Sequence, residues 1–437
     1  MDKGQQLYEF ARQYLPGGVA ASTRLNRAIG RPFYISRGDG SKVYDLDGRE
    51  YIDMCCSHGA SILGHNHPAL KAAIQQVLDI GICCSYETDL QSRLAKKLCD
   101  TIPCAEMVRY AGSGTETIMH ALRLARAATG KMKVIKFEGH FNGYDDYVNW
   151  STQPPLDKAG PPDRPIPYSQ SAGIPPALSE LLVIVPFNDP DAIERAIIEH
   201  KDDAACVLME PINYDAGCII PKREYLQLIR DVTAANGMLL FYDEVLTAAR
   251  VAPGGAQEYY GVTPDLAVMG KATAGGLPLS AIVGKRAVMS HMRPLGNSEH
   301  SGTYLGHLIA VAGALATQEE ITKPGFYAQL FARADQLYSG INAIIRRTGV
   351  KARLQGLGPR FAIYFGLDPD QEVRNWRQAA LSDSQMALRF YKACIEHGVY
   401  FHDYGGKPAH HGFSAAHSAA DIDRALEGIE AAFKTLR

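Results

Sequence analysis

The 437-residue sequence has only two tryptophans, no long apolar run and almost no net charge. Its 45 basic residues face 47 acidic ones, for a formal charge of −2, so bulk charge gives no attraction for nucleic acid or anionic membranes. The longest apolar stretches, such as residues 181–186, fall far short of a membrane span. Residues 1–10 lack the apolar core of a signal peptide. We therefore expect a cytoplasmic protein with neither nucleic acid nor membrane as a partner.

Cysteine usage gives no sign of a disulfide framework or a zinc site. The nine cysteines are an odd number, and two pairs, Cys55–Cys56 and Cys83–Cys84, are adjacent in sequence. There is no CxxC motif, and no Cys/His spacing fits zinc. The sequence predicts reduced, buried thiols and no metal.

The middle of the chain alternates short apolar runs with amphipathic helical patterns. This alternation predicts an α/β fold with a largely parallel sheet that is covered on both faces. In such sheets, binding sites form at the carboxyl ends of the strands. The strand-like runs are 134–137, 181–185, 205–209, 238–242, 266–269 and 281–284, the helix-like stretches between them are 116–128, 189–199 and 223–235, and a long helical pattern covers 306–347.

Three structural parts are predicted from these patterns. Residues 1–59 form an N-terminal arm that belongs to a smaller domain, 60–310 form the large domain, and 311–437 complete a smaller α+β domain. Residues 151–178 are dense in Pro, Gly and Ser. A loop of that length is typical of a lid or a subunit contact, although a surface excursion has the same composition.

Three features could carry chemistry. The run Ala-Gly-Ser-Gly-Thr at 111–115 precedes a helical pattern, where free N–H groups and small residues favour a phosphate; a plain helix cap has the same pattern. Asp243 ends an apolar strand and could hold a protonated ring nitrogen or a metal, or cap a helix. Lys271 follows the next strand among small residues. Loss of solvation there would make its amine a nucleophile, although most lysines are solvated surface groups.

Together these groups match what pyridoxal 5'-phosphate requires. A lysine forms a Schiff base with its aldehyde, an aspartate keeps its pyridine nitrogen protonated, and a helix start holds its phosphate. The combination is more specific than any one of its parts.

At this point the sequence resembles the class III, fold-type I pyridoxal-phosphate aminotransferases, and most closely their glutamate-1-semialdehyde 2,1-aminomutase-like members. The resemblance covers nearly the whole chain. Its most specific element is Asp243-Glu244-Val245 followed by Gly270-Lys271. Further matching segments are 15–19 (LPGGV), 45–53 (DLDGREYID), 64–65 (GH), 107–110 (MVRY) and 254–266 (GGAQEYYGVTPDL).

The resemblance implies a fold and an activity. The fold is the PLP-dependent transferase fold type I, a large domain with a mostly parallel seven-stranded sheet and a smaller α+β domain from both termini. The activity moves an amino group from a small-molecule amino donor to a carbonyl acceptor. The assembly is a homodimer with shared active sites.

The resemblance also assigns roles to individual residues. Lys271 is the Schiff-base lysine and the acid/base at the substrate Cα, Asp243 pairs with the pyridine nitrogen, and Val245 lies against the ring. The other matches are Ser113, Gly114 and Thr115 in the phosphate loop, Phe141 as the stacking aromatic, Asn142 beside it, Glu210 of the Glu-Pro pair, Asn213 near the ring hydroxyl, and Thr303 for the phosphate of the neighbouring subunit.

The predicted substrate residues are Arg24 and His58. Arg24 matches the arginine that holds a substrate carboxylate, which a guanidinium does by bidentate hydrogen bonding. Arg27 competes for this role, and Arg250 could be structural or a second clamp. His58 lies near the position of a tryptophan in the aminomutase.

Three departures favour an aminotransferase over the aminomutase, which stays the alternative. The first is His58 in place of the tryptophan. The second is the segment 407–413, which lacks the carboxylate of the aminomutase motif. The third is the Pro-rich 151–178 loop, which differs from the glycine-rich gate that retains the aminomutase intermediate. Without that gate, the intermediate leaves as a ketone and the net reaction is transamination.

Overall fold

A computed structural model describes residues 2–82 and 85–436. The helices are α1 Lys3–Ala11, α2 Pro68–Ile80, α3 Asp89–Thr101, α4 Gly114–Thr129, α5 Pro190–Glu199, α6 Arg223–Ala235, α7 Ala256–Tyr260, α8 Arg286–Met289, α9 Leu308–Ile321, α10 Phe326–Thr348, α11 Trp376–Ala379, α12 Ser384–Glu396 and α13 Ala419–Lys434. The strands are β1 Leu25–Asn26, β2 Arg31–Pro32, β3 Ile35–Asp39, β4 Lys42–Asp45, β5 Glu50–Asp53, β6 Met107–Ala111, β7 Lys133–Phe137, β8 Leu182–Val185, β9 Ala204–Met209, β10 Leu239–Glu244, β11 Leu266–Met269, β12 Ser280–Gly284, β13 Ala352–Leu357, β14 Arg360–Phe365, β15 Val399–Tyr400 and β16 His411–Gly412.

The chain forms two compact units. The terminal unit comprises Met1–His67, Gly325–Val373 and Ala379–Arg437, and the central unit comprises Pro68–Pro324 and Arg374–Gln378. Residues 311–324, predicted to start the smaller domain, belong to the central unit because α9 packs against α2 and α3.

The central unit is built on a seven-stranded sheet in the order β6-β12-β11-β10-β9-β7-β8. The pairs from β11 to β8 are parallel, and β12 runs antiparallel to both of its neighbours. Every residue of β9 and β11 is buried, as expected for strands covered by helices on both faces. The predicted mostly parallel seven-stranded sheet is thus confirmed.

The terminal unit contains antiparallel sheets and α10, α12 and α13. Strands β3, β4 and β5 form an antiparallel meander, and β15 adds to β5 in parallel. The long helical pattern at 306–347 forms two helices, α9 and α10, because Lys323-Pro324-Gly325 interrupts the helix. Proline cannot continue a helix, and Gly325 adopts φ 84°.

The 151–178 loop packs on the central unit and contains only short 3₁₀ turns, Leu156–Lys158 and the start of Pro176–Leu181. Arg377 ties it down: its guanidinium binds the buried Glu138 carboxylate with two bonds of 2.9 and 3.0 Å and donates to the Gly160 carbonyl. Trp376 Nε1 donates to the Pro154 carbonyl at 3.0 Å. The loop is therefore fixed by side chains more than 200 positions away in sequence.

Two further observations concern the remaining expectations. Seven cysteines in the described residues form no disulfide, and six of them are buried, whereas the Cys83–Cys84 pair lies outside the described residues. Among the helices of residues 2–82 and 85–436, none has the length and apolarity that a bilayer span requires.

Candidate active site

The predicted chemical residues meet at the carboxyl ends of neighbouring strands. Asp243 lies in β10 opposite Val268 of β11, and Lys271 follows two residues after that strand ends. Glu210 directly follows β9, whose Met209 pairs with Tyr242. Because β9, β10 and β11 run parallel, their carboxyl ends share one edge of the sheet.

Asp243 is a buried carboxylate held by two donors. Asn142 Nδ2 donates to its Oδ2 at 2.9 Å, and the Val245 backbone N–H donates to its Oδ1 at 3.1 Å. Burial raises the pKa of Asp243, whereas these hydrogen bonds and the charges of Lys271 and Lys136 oppose the rise. The carboxylate is thus placed to favour a cationic partner.

Lys271 lies in a 3₁₀ turn, Lys271–Ala274, immediately after Gly270. Its backbone adopts φ 45°, a left-handed conformation that costs a non-glycine residue energy and is typical of functional sites. Burial lowers the pKa of its amine, while the carboxylates of Asp243 and Glu210 oppose the fall. A lysine in this state has a larger fraction of neutral, nucleophilic amine.

The predicted phosphate loop, residues 113–115, forms the start of α4. Ser113 is the N-cap, and its Oγ accepts from the Glu116 N–H at 3.3 Å. A Cβ added to Gly114 would lie 3.1 Å from Val245 Cγ2, so a larger residue here would require Val245 to shift by a few tenths of an ångström. Thr115 Oγ1 accepts from the Tyr144 N–H at 3.3 Å. The exposed start of a 16-residue helix presents N–H groups that suit a phosphate.

The segment that carries Phe141 and Asn142 is fixed by Glu210. Its Oε1 accepts from the Phe141 N–H at 2.9 Å, and the Glu210 N–H donates to His140 Nδ1 at 3.0 Å. Burial, with repulsion from Asp215 and Asp243, raises the pKa of Glu210 well above its ordinary value. The Phe141 ring lies edge-on to Tyr144, with centroids 5.0 Å apart.

Asn213 uses its amide for the backbone. Its Nδ2 donates to the Gly139 carbonyl at 2.9 Å, and its Oδ1 accepts from the Ala216 N–H at 2.9 Å. This arrangement joins the loop after β7 to the loop after β9. Asn213 therefore orders the loop that carries the predicted ring-stacking residue.

Sequence reasoning missed Lys136. This lysine is fully buried in β7, and its Nζ donates to the carbonyls of His140 and Trp150 at 3.1 and 2.8 Å. Burial lowers its pKa to about 8, although Glu210, Asp215 and Asp243 oppose the shift. The available signal was a charged residue within the apolar run Val-Ile-Lys-Phe.

The predicted substrate residues lie in the terminal unit. Arg24 and His58 both line a cavity of about 760 Å³ there, together with Asp53, His65 and His402. His58 belongs to a left-handed turn in which Cys56, Ser57 and His58 have φ of 49°, 55° and 53°. Asp53 holds this turn by accepting from the N–H groups of Cys55 and Cys56 at 2.8 and 3.1 Å.

Thr303 lies in an exposed segment of the central unit, between β12 and α9. The central unit thus contains all the predicted cofactor residues, and the terminal unit contains both predicted substrate residues.

The central unit provides the groups that pyridoxal phosphate needs. Among the described residues, two buried acceptor atoms at the site, Asn142 Oδ1 and Glu210 Oε2, have no hydrogen-bond partner. Gly114 and Gly270 let the backbone pack closely against Val245, since a Cβ at either position would lie 3.1 or 3.2 Å from its methyl groups. The carboxylate of Asp243, the amine of Lys271 and the start of α4 fit the ring nitrogen, aldehyde and phosphate of this cofactor.

The model of the class III aminotransferase family matches residues 26–433, nearly the whole chain. The chain belongs to this family. It is 38% identical over 400 residues to glutamate-1-semialdehyde 2,1-aminomutase of Methanocaldococcus jannaschii, with 92% of this chain and 91% of the relative covered. The predicted family is confirmed.

Solved structures confirm the fold and the cofactor. An ω-transaminase from Sphaerobacter thermophilus superposes with a TM-score of 0.93 at 30% identity, covering 100% of this chain and 98% of the other. A transaminase with pyridoxal phosphate bound superposes with a TM-score of 0.87 at 26% identity, covering 99% and 97% of the two chains. This class III chain is a pyridoxal-phosphate enzyme of fold type I.

Asn142→Ala should move the acid limb of the kcat–pH profile to higher pH by about one unit, because one hydrogen bond to the Asp243 carboxylate is lost. The hydrogen bond favours the ionised form, so the pKa of Asp243 rises without it, and the anion is then lost at a higher pH. Steady-state kinetics across pH measure the shift. Asn236→Ala, in the loop after α6, is the matched control. An unshifted profile for Asn142→Ala would contradict this role.

Proposed function

We propose that this chain moves an amino group on a carboxylate-bearing small molecule, with Lys271 and Asp243 as its catalytic residues. The observation that carries the proposal is that a lysine of lowered pKa and a buried carboxylate lie at the ends of adjacent strands. When bound, pyridoxal phosphate supplies an aldehyde for the amino group and a ring that accepts electrons from Cα.

The side chains of the central unit divide the work. Lys271 would hold the aldehyde of the cofactor, and its amine would take the proton from the substrate Cα as a general base, which its lowered pKa favours. Asp243 would favour a proton on the pyridine nitrogen, and Asn142 orients Asp243. Ser113, Gly114 and Thr115 would hold the phosphate, and Phe141 and Val245 would contact the ring.

Two net reactions are compatible with these residues. The name of the full-length relative favours glutamate-1-semialdehyde 2,1-aminomutase, which moves the amino group within one molecule. The likeness to an ω-transaminase supports transfer between a donor and a separate carbonyl acceptor. We therefore place the aminomutase reaction first, reversing the preference that the sequence alone suggested, and keep the transaminase as the second candidate.

A half-reaction on the cofactor-loaded enzyme separates the two. Glutamate 1-semialdehyde and a panel of α-, β- and ω-amino compounds are added singly, and free carbonyl and cofactor absorbance are followed. An isomer of glutamate 1-semialdehyde without net carbonyl release indicates the aminomutase, and stoichiometric carbonyl release indicates the transaminase. Lys271→Ala should lower either rate by at least about 10³-fold and prevent covalent trapping of the cofactor by borohydride. The exposed Lys96→Ala is the matched control.

The contradicting results are also defined. An active Lys271→Ala variant, or a wild-type enzyme that releases neither product with any compound, would overturn the proposed function.

Arg24 is proposed to bind the substrate carboxylate. Its side chain is exposed and lines the terminal-unit cavity, and within residues 2–82 and 85–436 no ion pair engages it. Arg24→Ala should raise KM for carboxylate substrates about tenfold or more, because the bidentate bond is lost, with kcat nearly unchanged. Arg27→Ala tests the competing arginine and should leave KM within about twofold. The opposite pattern would transfer the role to Arg27.

We propose that two copies of the chain assemble and that Thr303 of one copy serves the phosphate site of the other. Large apolar side chains of the central unit are exposed in the single chain, among them Leu78, Ile80, Tyr86 and Tyr304, the last next to Thr303. Such exposure is typical of an interface. Light scattering after size exclusion should give twice the chain mass of 47.6 kDa, and a monomer at micromolar concentration would contradict the proposal.

A further inference from the structure

Arg24 has little local structure to hold it. It ends a 3₁₀ turn, Ser22–Arg24, whose own hydrogen bonds join Arg24 N to the Ala21 carbonyl and Leu25 N to the Ser22 carbonyl. The strand that follows, β1, has only two residues. A side chain on so short a support needs other contacts to keep a fixed direction.

Two consecutive residues supply these contacts from the other end of the sequence. His402 Nε2 donates to the carbonyl of Thr23 at 2.7 Å, and Asp403 Oδ2 accepts from the N–H of Arg27 at 2.6 Å. The two bonds fall on either side of Arg24 in sequence. The backbone that carries Arg24 is therefore gripped before and after the arginine.

We propose that His402 and Asp403 are positioning residues that aim Arg24 at the substrate carboxylate. The inference rests on the proposed role of Arg24 in substrate binding. It adds a specificity device to that role, since a bidentate carboxylate bond depends on the direction of the guanidinium.

His402 is itself fixed for this task. A carbonyl can only accept, so Nε2 carries the proton that reaches Thr23. Nδ1 then accepts from the Tyr400 hydroxyl at 3.1 Å, which is the arrangement of a neutral imidazole. Burial lowers the pKa of His402, in agreement with the neutral ring.

Asp403 is fixed in the same way. It is 1% exposed, and its Oδ1 accepts from the N–H of Gly406 at 2.8 Å while Oδ2 holds Arg27. Both carboxylate oxygens thus bind backbone donors, and the carboxylate joins the 403–406 turn to the Arg24 segment.

The same histidine contacts the second predicted substrate residue. The rings of His402 and His58 meet edge to face with centroids 4.4 Å apart, and His58 Nδ1 lies 2.6 Å from the Tyr404 hydroxyl. Arg24, His58 and His402 line the same cavity. The His402 side chain therefore supports both the segment that carries Arg24 and the ring of His58 in the wall of this cavity.

Two substitutions of His402 separate its hydrogen bond from its bulk. His402→Phe keeps a ring in the cavity wall and removes the donor to Thr23, whereas His402→Gln retains an N–H donor of similar reach. His397→Phe, an exposed histidine of the same unit, is the matched control. All three variants are prepared as full-length, cofactor-loaded enzyme, and unchanged cofactor absorbance verifies that the central site is intact.

Two readouts are followed. Hydrogen exchange of residues 20–27 should become at least about fivefold faster in His402→Phe and stay near wild type in His402→Gln and His397→Phe. KM for the best carboxylate donor should rise about tenfold in His402→Phe with kcat within about twofold. On an Arg24→Ala background, His402→Phe should change KM by less than about twofold, because the two residues act as one unit.

Each result has a defined meaning. Unchanged hydrogen exchange of residues 20–27 in His402→Phe would contradict the proposal that His402 holds the Arg24 segment. Faster exchange with unchanged KM, in an enzyme whose KM does respond to Arg24→Ala, would overturn the positioning role. An Arg24→Ala variant with unchanged KM would instead reject Arg24 as the carboxylate site. Hydrogen exchange would still test whether His402 holds residues 20–27.

Discussion

The burial of one carboxylate, Asp243, organises the central unit. An ionised carboxyl group in the middle of a covered sheet is costly unless donors and cations compensate it. Asn142, the Val245 N–H, Lys271 and Lys136 provide that compensation. Lys136 lies in β7 and Asn142 in the loop after it, whereas Val245 follows β10 and Lys271 follows β11. The compensation therefore requires β7, β10 and β11 to keep their alignment.

The same requirement explains the second carboxylate and the buried lysines. Burial raises the pKa of Glu210, and repulsion from Asp215 and Asp243 adds to the rise. Glu210 Oε1 accepts a hydrogen bond from the Phe141 N–H. This bond fixes the segment from which the adjacent Asn142 contacts Asp243. Lys136 joins the ends of the same segment through the carbonyls of His140 and Trp150. Burial lowers the pKa of Lys271, and this effect is larger than the opposing effect of the nearby carboxylates, which raise it.

The sequence predicted what depends on local pattern and missed what depends on distant partners. Strands β9 and β11 were found because they are apolar throughout, and β7 because three of its five residues are apolar. Helices α4 and α6 were found because they are amphipathic. Strand β6, Met-Val-Arg-Tyr-Ala, is half-buried at the sheet edge and pairs with a strand some 170 positions later, so nothing local marks it as part of the main sheet. The hydrogen bonds from Arg377 to Glu138 and from His402 to Thr23 likewise join residues that are far apart in sequence. Lys271 and Asp243 were predicted as chemical residues because such chemistry requires particular residue types at strand ends, and residue types can be read from the sequence.

The two kinds of residue differ in how they are held. The proposed chemical residues lie at the end of a strand or just after one in a buried seven-stranded sheet, and the parallel pairing of these strands fixes their register. The proposed substrate residues lie on a 3₁₀ turn and on a left-handed turn, held by side chains such as His402 and Asp53. Loops of this kind accept substitution at less cost than a covered sheet does. With the roles proposed above, a change at His58 or Arg24 would therefore alter substrate binding and leave the sheet that positions Lys271 in place.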